Sequence, residues 1–216
     1  MRHANCFRIL GLSTLLCGLL SSAADAHPTI YKGGFVFDSM HSSDDSALNL
    51  HYSVLPRLSL GVHGLRERQE NRDFYTLTSF TGLRLYRLNA ENYQVNVYAY
   101  GGLGATRQQA QTQLAAFAGT QADIEDRRWF LMGKFETMQF RKFRDLYTYT
   151  GRLGFAPYEG DAGEIHSWFM GQYDYSRHEP KPHDVSAFLR IFYKNVLAEF
   201  GSSFRGELKL NLMFHY

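Results

Sequence analysis

The sequence predicts an all-β fold, an antiparallel transmembrane β-barrel of about ten strands within a range of roughly 8–12. Three observations predict it. The last stretch, Gly206 to Tyr216, places Leu208, Leu210, Leu212, Phe214 and Tyr216 on one face of an extended strand, with Glu207, Lys209, Asn211, Met213 and His215 on the other. One face suits lipid and the other suits water. The N-terminus reads as a secretory leader, and the chain beyond it lacks cysteine. Between the two, apolar and polar residues alternate repeatedly, broken by clusters of turn-forming residues.

The leader has a charged start (Arg2, His3, Arg8), an apolar run from Ile9 to Leu20 and an Ala24-Asp25-Ala26 site, which predicts cleavage after Ala26. A spanning helix needs about 20 apolar residues, and this run is too short for one. Cys17 follows the bulky Leu16, which suits a lipoprotein cleavage site poorly. Two segments result: a signal peptide over 1–26 and a single barrel domain over 27–216. Both cysteines, Cys6 and Cys17, lie in the leader, so the mature chain has neither disulfide nor thiolate metal site. Removing Arg2, Arg8 and Asp25 from the 23 basic and 21 acidic residues leaves charge nearly balanced, and nucleic-acid binding gains no support.

Along the mature chain, Gly33–Met40 is a short, irregular first strand, closed by the polar cluster His41 to Ser46. Leu48–Val54 and Leu58–Gly64 form a hairpin around Leu55-Pro56-Arg57, since proline cannot continue a central ladder. Phe74–Leu88 holds one long strand, and Tyr93–Gly102 the next, with Val and Ala facing one way and Gln, Asn and Tyr the other. The Gln- and Ala-rich stretch 105–126 suits a helix, a loop or a strand extension; from Phe117 onward it is read as continuous with Leu131–Gln139. Tyr147–Phe155, Ile165–Ser176 and Val185–Tyr193 follow, separated by Glu159–Gly163 and by a polar connection with Pro180 and Pro182. Val196–Phe204 is merged or looped, because counting it separately makes the strand number odd.

The terminal strand, with its final aromatic residue and apolar residues at every second position, resembles the last strand of bacterial outer-membrane β-barrels. That resemblance implies residence in the Gram-negative outer membrane. It also implies that the assembly machinery reads Leu208, Leu210, Leu212, Phe214 and Tyr216, and that lipids and lipopolysaccharide surround a monomer. A soluble sandwich or lipocalin-like barrel would need polar outward faces, whereas the aromatic-rich faces here have no partner layer.

Chemistry is less legible than compartment. Lys134, Glu136, Arg152, Asp174, Arg190, Glu207 and Lys209 are expected to face the lumen, where mixed charge ordinarily pairs and specifies closure. Water-filled channels generally need about sixteen strands, so a wide pore is not expected, although the barrel is porin-like in architecture and a narrow path stays an open alternative. His51 and His63 share the lumen face of the first hairpin and become diagonal neighbours if Val54 pairs with Leu58, a geometry for copper or zinc. Buried hydrogen bonding of the two imidazoles is the ordinary alternative. Met40, Met132, Met138 and Met170 suit copper(I) but also fill gaps. Ser53 or Ser59 beside these histidines sketches a nucleophilic dyad without an acid, and no Gly-x-Ser-x-Gly elbow is present. Arg127 and Arg128 end the charged run from Asp123 and could contact lipopolysaccharide phosphates; a solvated, self-paired rim is the bland reading.

A second resemblance rests on His27-Pro28, Lys32-Gly33-Gly34, Leu50-His51-Tyr52-Ser53, and Gln121-Ala122-Asp123 with Arg127-Arg128. These scattered segments are similar to a group of small proteobacterial barrels that accompany heavy-metal efflux systems, which implies a metal-stress context and no mechanism. The functional expectation is a non-enzymatic outer-membrane barrel, accessory to periplasmic copper handling or to envelope integrity. The alternative is an outer-membrane enzyme acting on lipid A or protein.

Overall fold

A computed structural model describes residues 28–69, 72–140, 145–160, 163–177 and 182–216. The expected signal peptide lies outside the described residues. The strands are β1 (Phe35–His41), β2 (Asp45–Leu55), β3 (Leu58–Gln69), β4 (Arg72–Asn89), β5 (Gln94–Gln108), β6 (Gln111–Glu125), β7 (Trp129–Phe140), β8 (Leu146–Phe155), β9 (His166–Arg177), β10 (His183–Tyr193), β11 (Val196–Ser203) and β12 (Leu208–His215). Each pairs antiparallel with its sequence neighbours, and β1 pairs β12, closing the barrel. Closure runs in register from Val36 opposite His215 to His41 opposite Leu210, and Phe35 and Tyr216 exchange backbone hydrogen bonds at 2.7 and 2.9 Å.

The strand number is twelve, not about ten. One correction concerns Phe117–Gln139, which is two strands. Asp126 reverses the chain: its Oδ1 accepts the backbone N–H of both Arg128 and Trp129 at 2.6 Å, an Asx-type turn. The other concerns Val196–Ser203, which is β11, entered through a tight turn in which Lys194 takes a φ of 53°. An even number keeps both termini at one end, the periplasmic end in single-chain barrels of this kind.

The outward face is predominantly apolar across the middle of the wall, interrupted by Ser79, Thr81 and Thr120. Leu77 is 62% exposed, Leu103 72%, Leu114 67% and Phe169 59%. On β4 the outward apolar positions run from Leu77 to Leu88. At about 3.3 Å per residue and a tilt of about 40°, that is a height of roughly 28 Å, close to the apolar band of about 25 Å that a barrel presents to lipid. Exposing such a band to water is unfavourable, and closure leaves no edge of unpaired backbone for lipid to meet. The protein is an outer-membrane β-barrel. The closing strand carries its predicted faces, with Leu208, Leu210, Phe214 and Tyr216 exposed and Met213 buried.

Where the ladder is interrupted, side chains or local geometry compensate. Between Thr78 and Thr81 the pairing with β5 lapses, and Ser79 Oγ both accepts the Leu103 N–H and donates to the Leu103 carbonyl at 3.1 Å. This satisfies backbone groups inside the lipid band. Gly102 lies against the Ser79 carbonyl so closely that a Cβ there would collide with backbone. Gly102→Val is therefore expected to reduce the fraction reaching the compact form that resists unfolding before boiling, and to lower the urea stability of what folds by about 1–3 kcal/mol. Gly133→Val, where nothing lies within 4 Å of the added Cβ, is expected to behave as wild type. Gel mobility with and without boiling, followed by urea titration, checks both.

Candidate functional site in the lumen

Inward-facing residues sort by sector of the wall. In the periplasmic half the lumen is polar on β4–β6, where Arg87 donates to Asn96 at 2.6 Å and Asn96 to Asp123 at 2.7 Å, and Phe80, Ala115, Phe117 and Met138 form an apolar cluster further toward the extracellular end. On the β7–β12 side the periplasmic half is apolar. Phe130, Met132, Trp168, Met170 and Phe188 form one buried cluster with Ala156. Val36, Leu197 and Met213 form a second, packed against Phe192, and its fourth buried member is Ile30 from the segment before β1. That segment is pinned to β2: the Ile30 N–H donates to Ser53 Oγ at 3.1 Å and the Gly33 N–H to the Ser53 carbonyl at 2.8 Å. The chain thus turns its own N-terminal portion into the periplasmic mouth, where Thr29 and Ile30 are buried.

An ion cluster sits among these apolar residues. Arg152 reaches both oxygens of Glu199, at 2.8 and 2.9 Å, and Arg190 Nε donates to the same carboxylate at 2.7 Å. Asn211 adds a further donor to Glu199. The guanidiniums of Arg152 and Arg190 lie 5.3 Å over the rings of Phe188 and Phe130, which joins the ion cluster to the apolar cluster around it. Further toward the extracellular end, Lys209 bonds Asp184 at 2.6 Å and lies 3.6 Å from Asp174. Lys134 pairs with Glu136 at 2.8 Å, and Tyr100 donates to Glu136 at 2.9 Å. The exposures of Lys134 and Glu136, 20% and 35%, mark a polar space that water reaches. Glu199, at 2%, is sealed from it.

Of the expected lumen charges, Lys134, Glu136, Arg152, Asp174, Arg190 and Lys209 take part in these pairs. Glu207 lies outside the strands, in the β11–β12 turn, with its backbone N–H on Ser203 Oγ at 3.3 Å. Two lumen carboxylates fall outside the sequence expectation: Glu199, and Asp38, which accepts from Asn49 at 3.1 Å. Glu199 shares a face with Leu197, Gly201 and Ser203, an alternation visible once Val196–Ser203 is read as a strand.

Leu55, not Val54, pairs with Leu58, and a bulge between Ser53 and Leu55 restores the expected register beyond it, with His51 opposite Gly61 and His63 opposite Asn49, so the two are diagonal neighbours. The rings, however, are engaged elsewhere. His51 stacks on Phe80 at 4.8 Å, and His63 stacks on Phe117 at 4.7 Å while its Nδ1 bonds Asn49 Oδ1 at 2.6 Å. Among the described residues no group of three or more His, Cys, Asp or Glu gathers as a metal centre. Ser53 and Ser59 hydroxyls bond each other at 2.8 Å and are fully buried.

Arg127 and Arg128 occupy the β6–β7 turn, at the end carrying both termini, and both pair with Glu159, at 3.6 and 3.0 Å. The solvated rim holds for these arginines but not for the start of the charged run. Asp123 is buried in the lumen, accepting from Asn96 at 2.7 Å and Gln121 at 3.2 Å, and Glu125 accepts from Gln94 at 3.2 Å.

No protein-family model and no characterised protein sequence matches the chain. Among solved structures, the KdgM porin aligns with a TM-score of 0.48 at 11% identity, over 85% of this chain and 98% of that one. The KdgM porin in complex with disordered oligogalacturonate gives 0.47 at 11% identity, over 85% and 98%. OccAB4 of Acinetobacter baumannii gives 0.41 at 9% identity, over 85% of this chain and 64% of that one.

Two outcomes follow from the charge arrangement. Glu199→Gln leaves two buried guanidiniums without their counter-charge and is expected to cost about 3–5 kcal/mol in urea unfolding in detergent; a change within about 0.5 kcal/mol contradicts the cluster. On the periplasmic rim, hydrogen bonds from Arg128 and then the charges of both arginines hold the Glu159 carboxyl below the ordinary value of 4.5. The pairing is present at neutral pH and is lost as pH falls through that lowered value. A carboxyl-carbon NMR titration is expected to place the Glu159 midpoint below 4.5 and to move it up in Arg128→Ala.

Proposed function

We propose that this protein is a non-enzymatic envelope barrel with a sealed lumen, a polar vestibule toward the extracellular end and no open diffusion path. The observation carrying this reading is the filling of the periplasmic half of the lumen, by Ile30 packed among Val36, Leu197 and Met213 beside the Phe130–Trp168 cluster and, on β4–β6, by the mutually hydrogen-bonded side chains of Arg87, Asn96 and Asp123. Side chains packed and paired in this way leave a hydrated ion no continuous path. The Arg152–Glu199–Arg190 cluster braces the wall by pairing strands β8, β10 and β11 across their ladder.

The enzymatic alternative is not favoured by the serine hydroxyls at Ser53 and Ser59, which are committed to each other and to the Ile30 amide. A role in copper or zinc handling would rest on His51 and His63, whose stacks on Phe80 and Phe117 set their ring planes and of which His63 already spends Nδ1 on Asn49. The reading proposed for the barrel is therefore envelope integrity.

Planar-bilayer recording tests the sealed lumen. The wild-type barrel is expected to give no steady ohmic conductance, and a Phe130→Ala, Trp168→Ala double variant is expected to leak. Steady open-channel current from wild type overturns the reading.

A further inference from the structure

The outer wall is not uniform. Across β1 to β6 the ladder register aligns an outward row of His41, Ser46, Arg66, Tyr75, Arg107 and Thr112. Directly below, one outward position closer to the membrane centre, lies a second row: Ser39, Leu48, Gly64, Leu77, Ala105 and Leu114. The upper row is basic and the lower is apolar. Gly64 and Ala105 leave gaps between Leu48, Leu77 and Leu114, and a groove of about 510 Å³ follows these gaps along the wall.

Height fixes what this groove meets. The rows lie at the end opposite the termini, which is the extracellular end, and Leu77 is the upper limit of the apolar band on β4. The basic row is therefore at headgroup level in the extracellular leaflet, with the groove among the acyl chains beneath it. On the outer faces of β3 to β5, Arg66, Arg68 and Arg107 stand against the carboxylate of Asp73 among the described residues, and Asp44 of the β1–β2 turn, whose carbonyl accepts the Arg68 N–H at 3.1 Å, adds a second carboxylate beside Arg68. Asp73 accepts from Arg66 at 3.2 Å and Arg68 at 3.1 Å, and Arg107 Nε donates to the Gln109 carbonyl at 3.0 Å. These bonds engage one N–H of each guanidinium out of five, so the edge keeps an excess of positive charge and donors. His41 completes the row through Ser39 at 2.6 Å and Ser46 at 3.1 Å.

We propose that this two-row surface is a binding site for a phosphorylated, multiply acylated glycolipid of the extracellular leaflet, that is, for the lipid A portion of lipopolysaccharide. Arg66 and Arg107, flanking Tyr75, take a phosphate by charge-assisted hydrogen bonds, and an acyl chain lies over Gly64 between Leu48 and Leu77. The charge complementarity selects a phosphate, and the groove directly beneath it selects a phosphate carried on lipid. The site lies on the opposite rim from Arg127 and Arg128, the arginines that the sequence alone suggested for this ligand.

Gly64 supplies a clean probe. A Cβ added there meets nothing closer than the Leu48 carbonyl at 3.8 Å, so a leucine fills the groove without disturbing the ladder. The full chain in detergent is titrated with bisphosphorylated, hexa-acylated lipid A and followed by native mass spectrometry, with the mobility shift on boiling confirming that each variant is folded. Wild type is expected to hold a single lipid A, and both Gly64→Leu and the Arg66→Ala, Arg107→Ala double variant are expected to bind at least about tenfold more weakly. Dephosphorylated lipid A is expected to bind wild type as weakly as lipid A binds the arginine variant. Equal binding by all three folded proteins overturns the site. Binding of phosphatidylglycerol as tightly as lipid A overturns the assigned ligand.

Discussion

Lipid offers no hydrogen bonds to a backbone, and most of this structure follows from that deficit. Each N–H and C=O in the wall must find its partner within the wall, so the sheet has to close, and β1 must find β12. The small irregularities obey the same rule. Where β4 and β5 part, the Ser79 hydroxyl takes over for the missing ladder bonds of Leu103. At the solvated turn after β6, the Asp126 carboxylate receives two amides and fixes the reversal. Closure by twelve strands then creates a second demand, because the interior is wider than an eight-stranded wall that side chains fill readily.

The lumen meets that demand in two ways. In part it is filled with aromatic, methionine and aliphatic side chains, supplemented near the periplasm by Ile30 from outside the wall. Elsewhere it is filled by polar groups and ions that satisfy one another. Glu199 is shared between Arg152 and Arg190, and the excess guanidinium charge lies over Phe188 and Phe130. Desolvating three charges offsets much of their mutual attraction, so the cluster contributes less to net stability than its short distances suggest. Its effect is on register: a one-residue slip between β10 and β11 would turn Glu199 outward into lipid.

The parts of this architecture that were legible in the sequence are those with high contrast between faces. The terminal strand alternates Leu with Lys and Asn, and the first hairpin alternates Leu with His and Ser; both came out with the predicted faces, and the hairpin with its register. The missed strands have a different cause. Outward positions of β6 include Leu114, Ala116, Ala118, Thr120 and Ala122, and the inward positions between them are Ala115, Phe117, Gly119 and Gln121, so apolar and small residues fall on both faces and the contrast is lost. The charged run after Asp123 then obscured the turn, since two of its carboxylates point into the lumen. Parity could not expose the error, because overlooking both β6 and β11 removes two strands and leaves an even number. The lumen network was invisible for a further reason: Arg152 and Glu199 lie 47 residues apart, and only closure brings them together.

Arginine on a lipid-facing wall is itself a depth gauge. At the membrane midplane such a residue costs roughly 2–4 kcal/mol, falling to about 0–1 near the interface. Arg66 and Arg107 are outward neighbours of Tyr75, and the row beneath them is Leu48, Leu77 and Leu114. The wall is tolerable in energy only if the interface passes between those rows, which fixes the height of the barrel in the bilayer on that side. The same step in polarity fits an amphiphile whose charged group and chains part at that height. A lumen plugged at one end leaves a barrel its rims and its outer surface for contact with the envelope, and it is on the outer surface that this chain departs from a featureless apolar belt.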